Sequence, residues 1–296
     1  ALDTNTTADD NTAVGYYALN ANTTANNNTS VGYYALAANT TGERNTAMGA
    51  NSSDSVTTGN YNTALGYNSL GANTTASYNT ALGDTSLAAN TTGEYNTAVG
   101  QGALQTNSTA AANTAVGYAA LNQNSTGAHN TAVGYQALDA NTTGAYNVAV
   151  GSGAMTQSTT AIRCTAVGRE AGESFTTGSY NTFVGASAGT GGTTSAPFSS
   201  GQRNTAIGYY AMRAVTTGSN NTAIGKDALM TNQTGNNNTA LGYRSLEVNT
   251  ANNNTAVGYK TLLANTSAAA VTGVGYQALA ENTTLAENTA DGANAL

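Results

Sequence analysis

Residues 113–129 and 130–146 read NTAVGYAALNQNSTGAH and NTAVGYQALDANTTGAY, and the match between these two stretches decides how the rest of the chain is read. The NTAVG segment or a close variant begins at Asn11, Asn28, Asn45, Asn62, Asn79, Asn96, Asn113, Asn130 and Asn147, each 17 residues after the last. The register continues through Cys164, Asn181, Asn204, Asn221, Asn238, Asn254, Val271 and Asn288. Seventeen coils result, interrupted by six extra residues between Asn181 and Asn204 and one missing residue between Asn238 and Asn254. Such self-similarity marks a repeat architecture, in which each unit buries its apolar face only against its neighbours.

Composition points the same way. Of 296 residues, 40 are Asn, 52 Thr and 34 Gly, and charged residues make up only 8%, against roughly 25% in an ordinary soluble domain. A large globular core is excluded by this bias. Disorder is disfavoured too, because disordered chains are rich in Pro and charge, and here there is one Pro. Helical hairpin repeats need about 34 residues and little Gly. Short, Gly-rich coils with β-branched residues predict an all-β fold, a β-solenoid (β-helix or β-roll) of about 17 coils with a 17-residue repeat. It would span residues 1–296 as a single repeat domain, with an inserted loop at about 189–202. Parallel strands ~4.8 Å apart give a stack roughly 80 Å long.

Reading down the columns assigns the faces. The fifth position is Gly in every coil, from Gly15 to Gly292, which requires positive φ or a neighbour too close for a Cβ. The fourth position is aliphatic or Met until Asp291 and reads as a core column; the ninth, mostly Leu or Met, reads as a second one, with Ser53, Gly172 and Gly189 as exceptions. Thr at the second position yields only to Val148, so Thr is expected to point inward with the fourth residue, and the third-position Ala outward, as a strand of period two. The sixth position mixes Tyr with Asp84, Gln101, Arg169 and Lys226 and is expected in solvent. Asn recurs at the first and twelfth positions, where Cys164, Val271, Val56, Phe175 and Val215 also occur, so both columns are expected to be partly buried. A ladder of stacked amides through Asn11, Asn28, Asn45, Asn62, Asn79, Asn96, Asn113 and Asn130 follows. The NTTG segments read as turns.

The repeat NTAVGYxAL…NTTGxY resembles those of phage tail fibres and related virion or cell-surface fibres, and NTAVG is similar to the SVAIG-type motif in the heads of trimeric autotransporter adhesins. The resemblance covers essentially the whole chain, although the spacing is longer than in the adhesin heads. It implies an extracellular, cell-surface or virion fibre shaft that is non-enzymatic and has a secondary adhesive role.

The residues themselves name few chemical candidates. His129 is the only histidine and Cys164 the only cysteine, so there is no catalytic constellation, no internal disulfide and no metal-ligand spacing, and no cofactor is expected. Eight Lys and Arg residues against a net charge of −7 exclude nucleic acid as a partner, and the apolar runs are too short for membrane insertion. Surface binding falls to the Tyr column (Tyr16, Tyr33, Tyr67, Tyr118, Tyr135, Tyr209) and to Phe198 beside Pro197 in the inserted segment. These define the alternative function, a carbohydrate-binding adhesin module that stacks Tyr on cell-surface glycans. Sequons at Asn5, Asn22, Asn39, Asn73, Asn90, Asn107, Asn124, Asn141, Asn232, Asn265 and Asn282 fit either a structural ladder or a file of glycans. Ice binding is a further alternative, disfavoured because it needs outward Thr-x-Thr on a flat strand, whereas the strand Thr is expected to point inward and the turn Thr residues are adjacent.

The expected partner is the protein itself. An Ala and Gly strip along an almost uncharged surface predicts lateral association, as bundles or a homotrimer. Ala1-Leu2 and Ala295-Leu296 occupy the same repeat positions without an evident cap, which predicts head-to-tail stacking into a filament.

Overall fold

The computed structural model describes residues 1–192 and 199–296. The protein is all-β, with seventeen strands of three residues and, among the described residues, no helix. It forms two compact units, Ala1–Tyr146 and Asn147–Leu296. The first holds β1 (Thr12–Val14), β2 (Thr29–Val31), β3 (Thr46–Met48), β4 (Thr63–Leu65), β5 (Thr80–Leu82), β6 (Thr97–Val99), β7 (Thr114–Val116) and β8 (Thr131–Val133). The second holds β9 (Val148–Val150), β10 (Thr165–Val167), β11 (Thr182–Val184), β12 (Thr205–Ile207), β13 (Thr222–Ile224), β14 (Thr239–Leu241), β15 (Thr255–Val257), β16 (Thr272–Val274) and β17 (Thr289–Asp291).

Within each unit every strand pairs in parallel with the equivalent strand of the next coil, second position on second and fourth on fourth, as Thr114 on Thr131 and Val116 on Val133, so each unit is a β-solenoid. Register survives both irregularities. Thr182 pairs with Thr205 across the insertion and Thr239 with Thr255 across the deletion, so both are absorbed outside the strands. The deletion falls in the turn. There Asn249 Nδ2 donates to the Ala251 carbonyl two residues on, where other coils bridge three, as Asn265 does to Ala268. Of the inserted loop at 189–202, only the flanks to Gly192 and from Ser199 are described; Pro197 and Phe198 lie outside the described residues.

The strand faces correct the sequence reading. The third-position Ala points inward: Ala47, Ala64, Ala81, Ala98, Ala115 and Ala132 are fully buried. The second-position Thr and the fourth-position aliphatic residue face out, Val14 being 58% and Leu241 44% exposed, with Val116 and Val133 half-buried. The ninth position is the true core column, with Leu19, Leu36, Leu70, Leu87, Leu104, Leu121 and Leu138 fully buried. The physical reason is width. One large side chain fills the interior of a coil, Leu takes that place, and the third and eighth positions opposite must stay small. Gly273, at a third position, makes the point: a Cβ there would lie 2.8 Å from Thr261 Cγ2 and 3.4 Å from Leu262 Cγ.

The corners explain the Gly column. Fifth-position glycines have φ between 124° and 141°, and a Cβ on Gly15 would sit 2.5 Å from the Gly32 carbonyl oxygen. Positive φ and close approach therefore both act. Three further corners, at the seventh, ninth and seventeenth positions, lie in the left-handed region and in most coils use non-Gly residues, for example Tyr17 (φ 56°), Leu19 (51°) and Asn27 (61°). Each costs roughly 1–2 kcal/mol for an L-residue, which the inter-coil hydrogen bonds and the Leu burial offset.

Candidate interaction surface

Within each unit successive coils are joined by two files of Asn side chains, interrupted at Cys164 and Val271 in the first-position column and at Val56, Ser158, Phe175 and Val215 in the twelfth. In the first, Asn11 Oδ1 accepts from the Asn28 backbone N–H, and the same bond, 2.8–3.0 Å long, repeats from Asn28 through Asn45, Asn62, Asn79, Asn96 and Asn113 to Asn130. The Nδ2 of each donates to the fifteenth-position carbonyl, as Asn113 does to Gly127 at 2.9 Å and Asn130 to Gly144 at 2.8 Å. The twelfth-position Asn donates to that same carbonyl, Asn124 to Gly127 at 2.9 Å. Both lone pairs of a buried carbonyl are thereby used. Twelfth-position amides also bond one another, Asn107 Nδ2 to Asn90 Oδ1 and Asn124 Nδ2 to Asn107 Oδ1, both at 2.9 Å. With both amide hydrogens engaged and the side chain fully buried, a sequon such as Asn107 has no room for a glycan in the folded coil. Asn5 and Asn282 are more open.

Cys164 stands in the first Asn column and reproduces its bonds. Its Sγ lies 3.3 Å from the Gly178 carbonyl and 3.5 Å from the Asn181 backbone nitrogen, and burial pushes the thiol up to about 11. It is a packed substitute rather than an activated nucleophile. His129 stacks on Tyr146 with ring centroids 4.9 Å apart. Among the described residues no group of three or more His, Cys, Asp or Glu could hold a metal ion, and no helix is long and apolar enough to cross a membrane.

In place of the expected Ala and Gly strip, whose Ala is buried, the coils of each unit present outward a strip of Thr and aliphatic residues edged by aromatic files. On one edge of the first unit stand Tyr16, Tyr33, Tyr67, Tyr118 and Tyr135, and Tyr209 takes the same repeat position in the second, all exposed. Tyr16 stacks on Tyr33 at 5.6 Å and Tyr118 on Tyr135 at 5.3 Å. Each ring of a pair covers one face of its partner. Tyr67, 57% exposed, has Ala50 and Asp84 for column neighbours, so its ring faces are open. Desolvation first, then the neighbouring phenols of Tyr17 and Tyr34, holds the Tyr16 phenol above its ordinary value. At Tyr209 a hydrogen bond with Tyr210 has the same effect.

The other edge was missed from the sequence as a Tyr file. Tyr61, Tyr78 and Tyr95, at the seventeenth position, stack in a continuous run at 5.0 and 5.1 Å. Arg44 lies over Tyr61, and Arg163 and Arg203 over Tyr180. The available signal was Tyr recurring every 17 residues immediately before the Asn. No strand position before Asp291 is charged, so the strip is uncharged along β1–β8 in the first unit and along β9–β16 in the second. No protein-family model matches the chain, and no curated protein matches it.

Proposed function

We propose that the protein is a non-enzymatic structural element, a shaft segment of a virion tail fibre or of a self-assembling extracellular filament, with adhesion secondary. The observation that carries this reading is the doubled Asn file. Within each unit most coils are fastened to the next by the same backbone ladder and the same buried amide bonds, so a stack lengthens by repetition alone. Sparse charge and an uncharged outer strip favour association with further copies of the chain, laterally and along the stack. One observation favours the carbohydrate-binding alternative, the ring of Tyr67, which no other ring among the described residues stacks upon.

Adding consensus coils tests the reading. One, two or three copies of NTAVGYQALDANTTGAY inserted after His129 should keep or raise the melting temperature, and small-angle scattering should show the particle lengthening by ~4.8 Å per coil. Inserts that unfold the unit, or leave its length unchanged, contradict a shaft. Retention on a glycan array, abolished by Tyr67→Ser, would favour the alternative.

A further inference from the structure

Seven tyrosines of the first unit are held in two clusters whose geometry exceeds what packing requires, beside the separate stacked pair of Tyr118 and Tyr135. In one, Tyr16 and Tyr17 on one coil meet Tyr33 and Tyr34 on the next. Tyr16 lies 4.5 Å from Tyr17 and 5.6 Å from Tyr33, and Tyr17 lies 5.0 Å from Tyr34, as ring centroids. In the other, Tyr61, Tyr78 and Tyr95 stack at 5.0 and 5.1 Å with rings within 7° of parallel. These rings are largely exposed: 61% for Tyr16, 48% for Tyr78 and 59% for Tyr95. Their backbones are fixed from coil to coil, the N–H of Tyr78 donating to the Asn60 carbonyl at 3.0 Å and that of Tyr61 to Glu43 at 3.0 Å. Burial does not explain them, and Asn, Ala or Arg fills the same columns elsewhere.

We propose that these two clusters are sites of oxidative modification, at which phenols on successive coils couple to dityrosine and staple the solenoid covalently. A one-electron oxidant removes a hydrogen atom from each of two phenol hydroxyls. The two tyrosyl radicals join through one ortho-to-ortho carbon–carbon bond, and each ring regains aromaticity as its ortho hydrogen moves to oxygen. The pair loses two electrons and two protons in total. A peroxidase-type haem supplies the acceptor, one hydrogen peroxide taking up those electrons and protons to leave two waters. The structure's contribution is proximity. A radical formed on any of these seven rings has a second phenol ring within about van der Waals reach before it can diffuse away, and each link closes a 17-residue loop between register-matched residues of adjacent coils. The proposal stands independently of the fibre reading.

Dilute protein is treated with horseradish peroxidase and hydrogen peroxide, or with tris-bipyridyl ruthenium, persulfate and light, and digested for mass mapping. The expected result is dityrosine fluorescence from unassociated chains, with linked peptides Tyr16–Tyr33, Tyr17–Tyr34, Tyr61–Tyr78 and Tyr78–Tyr95, each lighter by two hydrogen atoms, and the same product from the other stacked pairs, Tyr118–Tyr135, Tyr243–Tyr259 and Tyr259–Tyr276. Tyr67, equally exposed and without a ring neighbour, serves as the internal control and should stay unlinked. Tyr78→Phe should abolish both links of its file while the Tyr16 cluster still couples, and its circular dichroism should match the parent. The stapled protein should melt at a higher temperature than the untreated one. Coupling that includes Tyr67 as readily, coupling only between chains, or oxidation without linked peptides would overturn the proposal.

Discussion

Phe183 fills the space that leucine would occupy at Gly172 and Gly189. A Cβ on Gly172 would lie 2.9 Å from Phe183 Cδ2, and one on Gly189 would overlap the ring at Cδ1. The Phe175 ring packs beside it with centroids 4.8 Å apart. Three departures from the repeat, Ala to Phe at a third position and Leu to Gly at two ninth positions, are thus one event: the large side chain enters from the opposite wall.

This exchange makes a prediction about coupling. Phe183→Ala should cost about 3–5 kcal/mol by the cavity it leaves. Adding Gly172→Leu and Gly189→Leu in that background should recover most of the loss, since both backbones already have the left-handed φ at which Leu sits in other coils. The same Leu substitutions beside an intact Phe183 should destabilise. Urea unfolding of the single, double and triple variants reads the cycle directly.

The Asn file predicts an uneven series. Asn113→Ala removes the acceptor of the Asn130 N–H and one donor to the Gly127 carbonyl, and each buried group left unpaired costs about 1–3 kcal/mol. Cys164→Asn should instead stabilise, by up to about 1 kcal/mol, because amide hydrogen bonds replace the weaker sulfur ones. In the native state Cys164 should resist iodoacetamide and react only as the protein unfolds.

Gly117→Ala isolates the corner. With φ at 135° and a Cβ that would approach the Gly134 carbonyl oxygen to 2.5 Å, the substitution is expected to lower the melting temperature strongly. Gly102→Ala, at the seventh position with φ 66° and no contact closer than 3.1 Å, should be tolerated far better.

Stability should also depend on acid at Asp139. Desolvation holds its carboxyl above the ordinary value of 3.8, so between that value and the raised one the folded state binds more protons than the unfolded chain. Its contribution is fully present below pH 3.8 and is lost as pH rises through the folded value. Asp139→Asn should therefore raise the melting temperature at pH 7 and change it little at pH 3, as read by circular dichroism.

The repeat, the parallel stack and the Leu column were legible because each recurs at one spacing and tolerates only similar residues. The strand faces were not. Thr and Val at one spacing, and Ala at the other, satisfy period two whichever way the strand is turned. What decides the orientation is the width of the coil, visible only through the exchange between Phe183 and the two glycines. The left-handed corners were equally hidden behind Leu19 and Tyr17, residues that seldom adopt them. Gly102, Gly153 and Gly172 in the same columns were the available hint. Among surface residues, the sixth-position Tyr file was legible from its mixture with charges, whereas the Tyr61 file was diluted by Arg44, Ala112 and His129.

The account rests on which strand residues face inward, and one pair of neighbours tests it. Ala115→Val adds volume to a full interior and should cost about 1–3 kcal/mol, whereas Val116→Thr keeps shape and β preference on the outer face and should change stability by about 0.5 kcal/mol or less. Denaturant midpoints of these two variants against the parent give the answer. A clear loss for Ala115→Val with Val116→Thr near neutral is the predicted result; a tolerated Ala115→Val beside a damaging Val116→Thr, whose hydroxyl would then be buried without a partner, would contradict it.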